Sequence, residues 1–477
     1  MKPLAIFGTG TGVGKSSLVM ALCRIFADQG LKVAPFKAQT ITNNSAVAQQ
    51  GREISMTQYM QAEAANVEPS YLFNPIVLKV LDNHFVEVIV NGVVHKKQHI
   101  GSYFAELNEL KFPVQKAFSR LQQDYDLVIA QGTGSIVNLN EIEKQLTNTF
   151  IAQSFNTKNI LLADAEKGEV FTTIYGAVEL MDPLTRSQLL GVVINKSKAS
   201  TDERWLHEGE QLIKSKLGLP LLGVLPHHRL NFNRENVDVL RQDEQRLDDI
   251  KIKVAVICYP GACNFNDLDV LMADPEIYID LIDAYVELNK YDLVLLPGSK
   301  AVISDLQWLK EQGLFNEIQD INKPIFGLCG GYQMLSRSLY DPIALEHEIT
   351  LTEEGLGFID DIVIYESPKI LQRGNYQVDH FLPIKGYEIH SGRLNKYPLY
   401  YQSGRYTGTH IQGIFDDNAF RNDYFRTINP YYQGYDYTDY RQTQIDNFTQ
   451  SVADNLDIST ILQMLQEGSH ERKTGRY

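Results

Sequence analysis

IFGTGTGVGKSS, residues 6–17, follows the apolar run LAIF (4–7) and opens a helical pattern from about Lys15 to Asp28. A glycine-rich turn between a strand and a helix directs backbone N–H groups at an anion, and the helix adds its amino-terminal dipole. A strict phosphate-loop pattern has Gly five places before the Gly-Lys pair, and that place is Thr9 here. The physics survives the change, because Lys15 supplies charge for a phosphate and the Ser16 hydroxyl suits Mg2+. Gly8, Thr9, Thr11, Gly14, Lys15, Ser16 and Ser17 are therefore the candidate nucleotide contacts. FKAQTITNNS (36–45) adds Lys37 at the end of the second strand, where open parallel sheets place ligands; taken alone it also reads as a solvated polar loop.

Working outward, short apolar runs alternate with helical patterns: KVAPFK (32–37), DLVIA (126–130), NILLAD (159–164), LLGVVIN (189–195) and LLGVLP (221–226). Such alternation predicts a parallel sheet covered on both faces. From His227 to Ile250 the apolar runs give way to charge (RENVDVLRQDEQRLDD), and a second series follows in KIKVAVICYP (251–260), YDLVLLPGS (291–299), PIFGLCGG (324–331), GYEIH (386–390) and THIQGIF (409–415). The expectation is an α/β chain of two domains, 1–227 and 250–477, joined by a linker at 228–249. A single helix is expected from Tyr440 to about Gln466, then a loose polar tail, SHERKTGRY.

Within the second series, GLCGG places Cys329 at a turn between a buried strand and a helix. Small neighbours allow such a turn, which favours the thiolate and puts backbone N–H groups near a developing oxyanion. A buried inert thiol is the ordinary alternative for a lone cysteine. Together the two loops predict an ATP-driven ligase with its own nitrogen supply.

Composition narrows the classes. The chain has 477 residues, 44% hydrophobic and 22% charged, enough for two or three cores. A formal net charge of -15 opposes binding to a phosphate backbone, so no nucleic-acid partner is expected. Four cysteines without metal-type spacing fit a reducing compartment. No apolar stretch approaches a membrane span and no secretory signal is visible, so the expected location is cytoplasmic with no membrane partner. Oligomeric state is not legible.

The chain resembles the cobyric acid synthase family, glutamine-dependent amidases of cobalamin biosynthesis whose nucleotide domain is similar to dethiobiotin synthetase. The resemblance rests on GTGTGVGKSS, FKAQ, QAEAANVEP, ADAEKGEVFTTIYG, INK, PLLGVLP, CNFNDLD, LPGSK, GLCGGYQML, GYEIHSGR and GIFDDNAFR, in family order. It implies that ATP activates a corrinoid carboxylate as an acyl phosphate while Cys329 releases ammonia from glutamine through a thioester. It also implies nucleotide contacts at Asn195 and Lys196, and Mg2+ held by Ser16, the residue at position 131 and Asp164. Three positions depart from the family pattern. Thr40 replaces Asn after FKAQ, Gln131 replaces the Glu of EGAGS, and Gln412 stands where GTYLHGLF has its catalytic His. A neutral amide coordinates Mg2+ without supplying charge, and it cannot accept a thiol proton at neutral pH. His410, two places earlier on the expected strand, and His390 in GYEIHSGR are the candidate bases. A diverged amidoligase using ammonia or another carboxylate, and a nucleotide-binding regulatory protein, are the alternative readings. His95, His99, His227 and His228 read as exposed, and the tyrosines from Tyr424 to Tyr440 as surface or packing.

Overall fold

The computed structural model describes residues 1–81, 84–137, 146–198, 203–232, 249–346 and 349–467. Most of the expected linker, and the polar tail from 468 onward, lie outside the described residues.

The first sheet has six strands, all parallel, in the order Leu221–Pro226, Leu189–Ser197, Lys158–Asp164, Leu4–Gly8, Leu127–Gln131, Val33–Phe36. Its continuous apolar runs follow from burial on both faces. Leu4 and Ile6 enter one core, Ala5 and Phe7 the other. The helix Lys15–Asp28 begins directly after the glycine turn, as the pattern predicted. Beside this sheet lie a hairpin, Ser45–Ala48 with Arg52–Ser55, and the helix Met56–Ala64, which packs on Lys15–Asp28.

The second sheet runs Ile277–Ile282, Ile252–Ile257, Leu293–Leu296, Ile325–Leu328, Tyr406–Thr409, Tyr400–Ser403, parallel except for its last pair. GYEIH lies outside it, in the strand Ile384–Leu394 of a separate four-stranded sheet. Among the described residues no helix is long and apolar enough to cross a membrane.

Three local expectations need correction. THIQGIF is not a strand, because the strand stops at Thr409 and Gly413 turns the chain with φ 80°. His410 and Gln412 therefore do not share a strand face. The expected helix from Tyr440 is two helices, Tyr437–Asn455 and Ile458–Glu467, since Leu456 bridges to Gly223 and Asp457 caps the second helix through Thr460 N. Those helices also leave the second unit: Ile445, Phe448, Val452, Leu456, Ile461 and Leu465 complete the core around Leu4, Ile6, Leu18 and Leu22.

The tyrosine-rich segment splits, with Tyr424, Tyr432 and Tyr437 buried and Tyr431 80% exposed. His99 accepts from Gly101 N at the start of Ile100–Ala105, and His227 meets the Glu166 carboxylate at 2.7 Å.

Candidate functional site

At the glycine turn, Gly14 has φ 98°, and a Cβ there would sit 2.1 Å from Asn195 Nδ2. That amide donates to Val13 O at 2.9 Å, so Asn195 braces the turn from the neighbouring strand. Gly8 closes the other end, where a Cβ would strike Val13 and the Lys15 ammonium. Lys15 Nζ donates to Gly10 O and Gly134 O, each at 2.8 Å. Lys167 donates to Thr11 O, and Lys196 to Gly12 O at 2.8 Å. Burial, then the charges of Lys37 and Lys167, push the Lys15 ammonium down to about 8. Several cations crowding one loop make a site for polyanionic phosphate. Thr9 holds the turn to the sheet through its N–H on Leu162 O, and Ser17 follows Ser16 in the first helical turn.

Ser16 ends a row of amides. Gln131 Nε2 donates to Ser16 Oγ at 2.8 Å, while Gln61 Nε2 donates to Gln131 Oε1 at 2.9 Å and to Ser16 O at 3.1 Å. Asp164 lies at the same strand ends, but its Oδ2 pairs with Lys196 at 2.8 Å and its Oδ1 accepts from Glu166 N. Thr40 is buried and donates to Gln58 Oε1 at 3.2 Å. Among the described residues no group of three His, Cys, Asp or Glu side chains is arranged to hold a metal ion.

Cys329 sits at a strained turn with φ 47° and ψ −102°, between Ile325–Leu328 and Gly330–Met334. The turn demands its glycines: a Cβ at Gly331 would lie 2.1 Å from Leu296 O, and one at Gly330 2.6 Å from Ser299 N. Such strain at a nucleophile's position is a recognised functional signature. The thiol contacts Ile389 O at 3.6 Å. Burial, then nearby Cys263, pushes it up to about 12, while the Gln412 side chain and Gly330 N–H favour the thiolate.

Gln412 is the side chain set against this sulfur. Its Oε1 accepts from Asn264 Nδ2 at 2.7 Å, and among the described residues its buried Nε2 has no nitrogen or oxygen partner. The histidines are otherwise engaged. His410 is fully buried; its Nδ1–H donates to Pro398 O at 2.8 Å and its Nε2 accepts from Gln333 Nε2 at 3.2 Å. Burial, then the adjacent His390, holds its pKa well below the usual value. His390 stacks on it with ring centroids 3.8 Å apart, and meets Gly392 O at 2.7 Å through Nδ1 and Glu388 Oε2 at 3.1 Å through Nε2. His390 lines the same cavity as Cys329, yet both its nitrogens are taken.

That cavity, about 1100 Å3, lies between the two units. Asn43, Lys79 and Glu87 come from the first unit and Cys263, Cys329, Lys369 and His390 from the second. A buried ion cluster spans the seam: Glu53 pairs with Lys79, and Lys369 reaches Glu87 at 2.8 Å and Glu53 at 3.5 Å.

Two family models match the two halves. Residues 4–235 match the CobQ/CobB/MinD/ParA nucleotide binding domain, and 253–424 match the CobB/CobQ-like glutamine amidotransferase domain. A cobyric acid synthase from Acinetobacter baylyi is 42% identical over 98% of this chain and 100% of its own length. The chain belongs to the cobyric acid synthase family. A second cobyric acid synthase, from Salmonella choleraesuis, is 31% identical over 96% of this chain and 97% of its own. Among solved structures, the signal recognition particle receptor FtsY from Elizabethkingia anophelis is 16% identical, covering 48% of this chain and 59% of that one at a TM-score of 0.30, too remote to bear on the site.

For a member of the cobyric acid synthase family, the sequence motifs located both loops but missed several side chains now seen at them. Gln61 lies in QAEAANVEP and Asn264 in CNFNDLD, two stretches used only as marks of resemblance. Glu388, at i−2 from His390 on one strand, was readable as a same-face partner. Lys79 and Lys369 carried no signal, since the fold of the first unit brings Lys79 to Glu53 and only the packing of the two units brings Lys369 there.

Proposed function

We propose that this chain amidates corrinoid side-chain carboxylates in cobalamin biosynthesis, with ATP bound at the residue 8–17 loop and nitrogen drawn from glutamine at Cys329. The observation that carries this reading is the strained glycine-flanked turn at Cys329, facing a cavity shared with the nucleotide-binding unit. In the glutaminase half, the Cys329 sulfur attacks the amide carbon, the C–N bond breaks, and ammonia leaves with the thiol proton. Water then cleaves the thioester to glutamate. In the ligase half, the γ-phosphoryl group of ATP passes to the acceptor carboxylate, and ammonia displaces phosphate from the acyl phosphate. Lys15, Lys37 and Lys196 offset the phosphate charge, and the Gly330 N–H lies where a charge on or beside the sulfur is favoured.

Mg2+ supplies charge compensation to the phosphates when bound. The Ser16 hydroxyl would hold an ion that takes most of its anionic oxygens from ATP, since Asp164 is already paired with Lys196 and Gln131 turns its Nε2 to Ser16 and its oxygen to Gln61. Gln412 defines the finer reading. It donates a hydrogen bond toward the thiolate but accepts no proton, so glutamine serves as a slow nitrogen source and ammonium as a faster one.

Incubation with cobyrinic acid diamide, ATP, Mg2+ and either glutamine or ammonium, followed by mass spectrometry, is the test. Amide products from ammonium, and fewer from glutamine, are expected. Absence of any amide while ATP binds would overturn the acceptor assignment.

A further inference from the structure

A buried carboxylate with no cation beside it is costly to desolvate, so one that persists in a core needs a reason. Asp267 is such a group, 2% exposed and without an ion pair among the described residues. It stands in the first turn of the helix Asn266–Ala273 and turns both oxygens to one loop. Oδ2 accepts from Gly413 N at 2.9 Å and Oδ1 from Phe415 N at 3.1 Å. Gly413, at φ 80°, follows Gln412 directly, so the carboxylate closes the turn that sends the Gln412 side chain to the Cys329 sulfur. The same short segment holds Gln412 at two more points. Asn264 Nδ2 donates to its Oε1 at 2.7 Å, and Asn266 Nδ2 donates to the Tyr387 hydroxyl at 2.9 Å, while the Tyr387 and Gln412 backbones exchange hydrogen bonds at 2.9 and 3.2 Å. Asn264 is itself fixed from the first unit, where Asn44 Oδ1 accepts its N–H at 2.8 Å.

We infer that Asp267 is the positioning residue for position 412: its carboxylate fixes the loop so that the side chain there is presented to the Cys329 sulfur. The inference rests on the proposed use of glutamine at Cys329. Capping the loop does not by itself call for a charge, since Thr409 Oγ1 already accepts from Ile411 N at 3.0 Å. At Gly413 and Phe415, however, two N–H groups converge on one point, and a carboxylate has two oxygens that both accept. Asn would match one N–H and set its own NH2 against the other, while Leu would leave both unpaired. Burial raises the Asp267 carboxyl to about 6 against the pull of the two N–H groups, so the carboxylate prevails at pH 8. Asp416 in the same loop and Tyr387 on the strand Ile384–Leu394 are the titratable groups that face it, and Arg441 and Arg421 offset the Asp416 charge.

The test compares full-length wild type, Asp267→Asn, Gln412→Leu and the double variant at pH 8. Iodoacetamide alkylation of Cys329, mapped by mass spectrometry, is read beside glutamine hydrolysis and ammonium-driven amidation, which does not pass through Cys329. Asp267→Asn should slow alkylation about three- to tenfold, the worth of one hydrogen bond, and lower kcat for glutamine to the same extent with KM within about twofold. The double variant should be no slower than Gln412→Leu alone, because a residue that acts through Gln412 then has nothing to position. In the Gln412→His background, Asp267→Asn should remove most of the gain that the imidazole brings. Additive losses in the double variant, or alkylation of Asp267→Asn at the wild-type rate, would overturn the assignment. Asp267→Ser repeats the trial with a smaller side chain; loss of the ammonium reaction in both Asp267 variants would assign the carboxylate to the fold and overturn it as well. Wild type that forms no glutamate from glutamine would instead overturn the function on which the proposal rests, while the alkylation rates still read the positioning of residue 412.

Discussion

Replacing Gln412 with His probes the nitrogen chemistry most directly. The Cys329 thiol stands at about 12, so at pH 8 roughly one molecule in 10,000 holds a thiolate. Gln412 lies against the sulfur as a donor, with its oxygen fixed by Asn264. An imidazole in the same place accepts the thiol proton, and a positioned general base is worth about 100- to 10,000-fold. Glutamine-dependent amidation by Gln412→His should therefore rise at least about 100-fold, while ammonium-dependent amidation stays within about twofold. Iodoacetamide alkylation of Cys329 gives an independent reading. In wild type the rate should climb about tenfold per pH unit through pH 10, whereas Gln412→His should show a shoulder near the imidazole's own titration. Gln412→Leu should be alkylated more slowly than wild type, because it loses a contact that favours the thiolate. The reasoning fails if wild-type alkylation levels off below pH 9, or if Gln412→His leaves glutamine turnover unchanged with the ammonium reaction intact.

The proposed phosphate contact of Lys15 requires its charge, and with its pKa lowered to about 8 by burial and by Lys37 and Lys167, it is charged below pH 8 and neutral above. ATP affinity should fall by up to about tenfold per pH unit above 8, with proton uptake on binding seen by calorimetry in buffers of different ionisation enthalpy; Lys15→Ala should bind weakly at every pH. Gly14→Ala adds a left-handed penalty of about 1–2 kcal/mol and drives a Cβ into Asn195, so thermal stability and ATP binding should both drop, read by calorimetry. A fragment ending at residue 227 loses six buried side chains contributed by the two carboxyl-terminal helices and the break between them. At about 1.5–3 kcal/mol each that loss rivals the whole stability of a domain, so the fragment should show no cooperative melt by circular dichroism.

The two sheets were legible because their central strands are buried on both faces, which writes each as an unbroken apolar run ended by Gly or Pro, as in Leu4–Gly8 and in Leu293–Leu296 before Pro297. The helix at Lys15 was legible because the glycine turn before it leaves few other conformations. Errors came where tertiary contacts outrank local pattern. Thr409–Phe415 reads as alternating strand, but His410 N bonds to Leu399 O and Gln412 pairs with Tyr387, which turns the two side chains apart: one against His390, the other against Cys329. The helix break at Leu456 had a local mark in Asp457, followed by Ser459 and Thr460, which is a capping pattern.

The amides are the instructive case. Asn44, Gln58, Gln61 and Gln131 look in sequence like ordinary polar residues of loops and helix surfaces, because nothing about an amide announces burial. Once buried, each has to be satisfied, and the cheapest solution is another amide that both donates and accepts. Such a row extends itself residue by residue, and the orientation of Gln131 follows from its two partners, Gln61 and Ser16. A carboxylate there would still accept from Gln61 Nε2 and from the Ser16 hydroxyl, and it would add a charge beside the loop. Gln131→Glu should therefore strengthen Mg2+-dependent ATP binding, measured by calorimetry, and an affinity no higher than that of the wild type would show that ATP and Ser16 suffice to hold the ion.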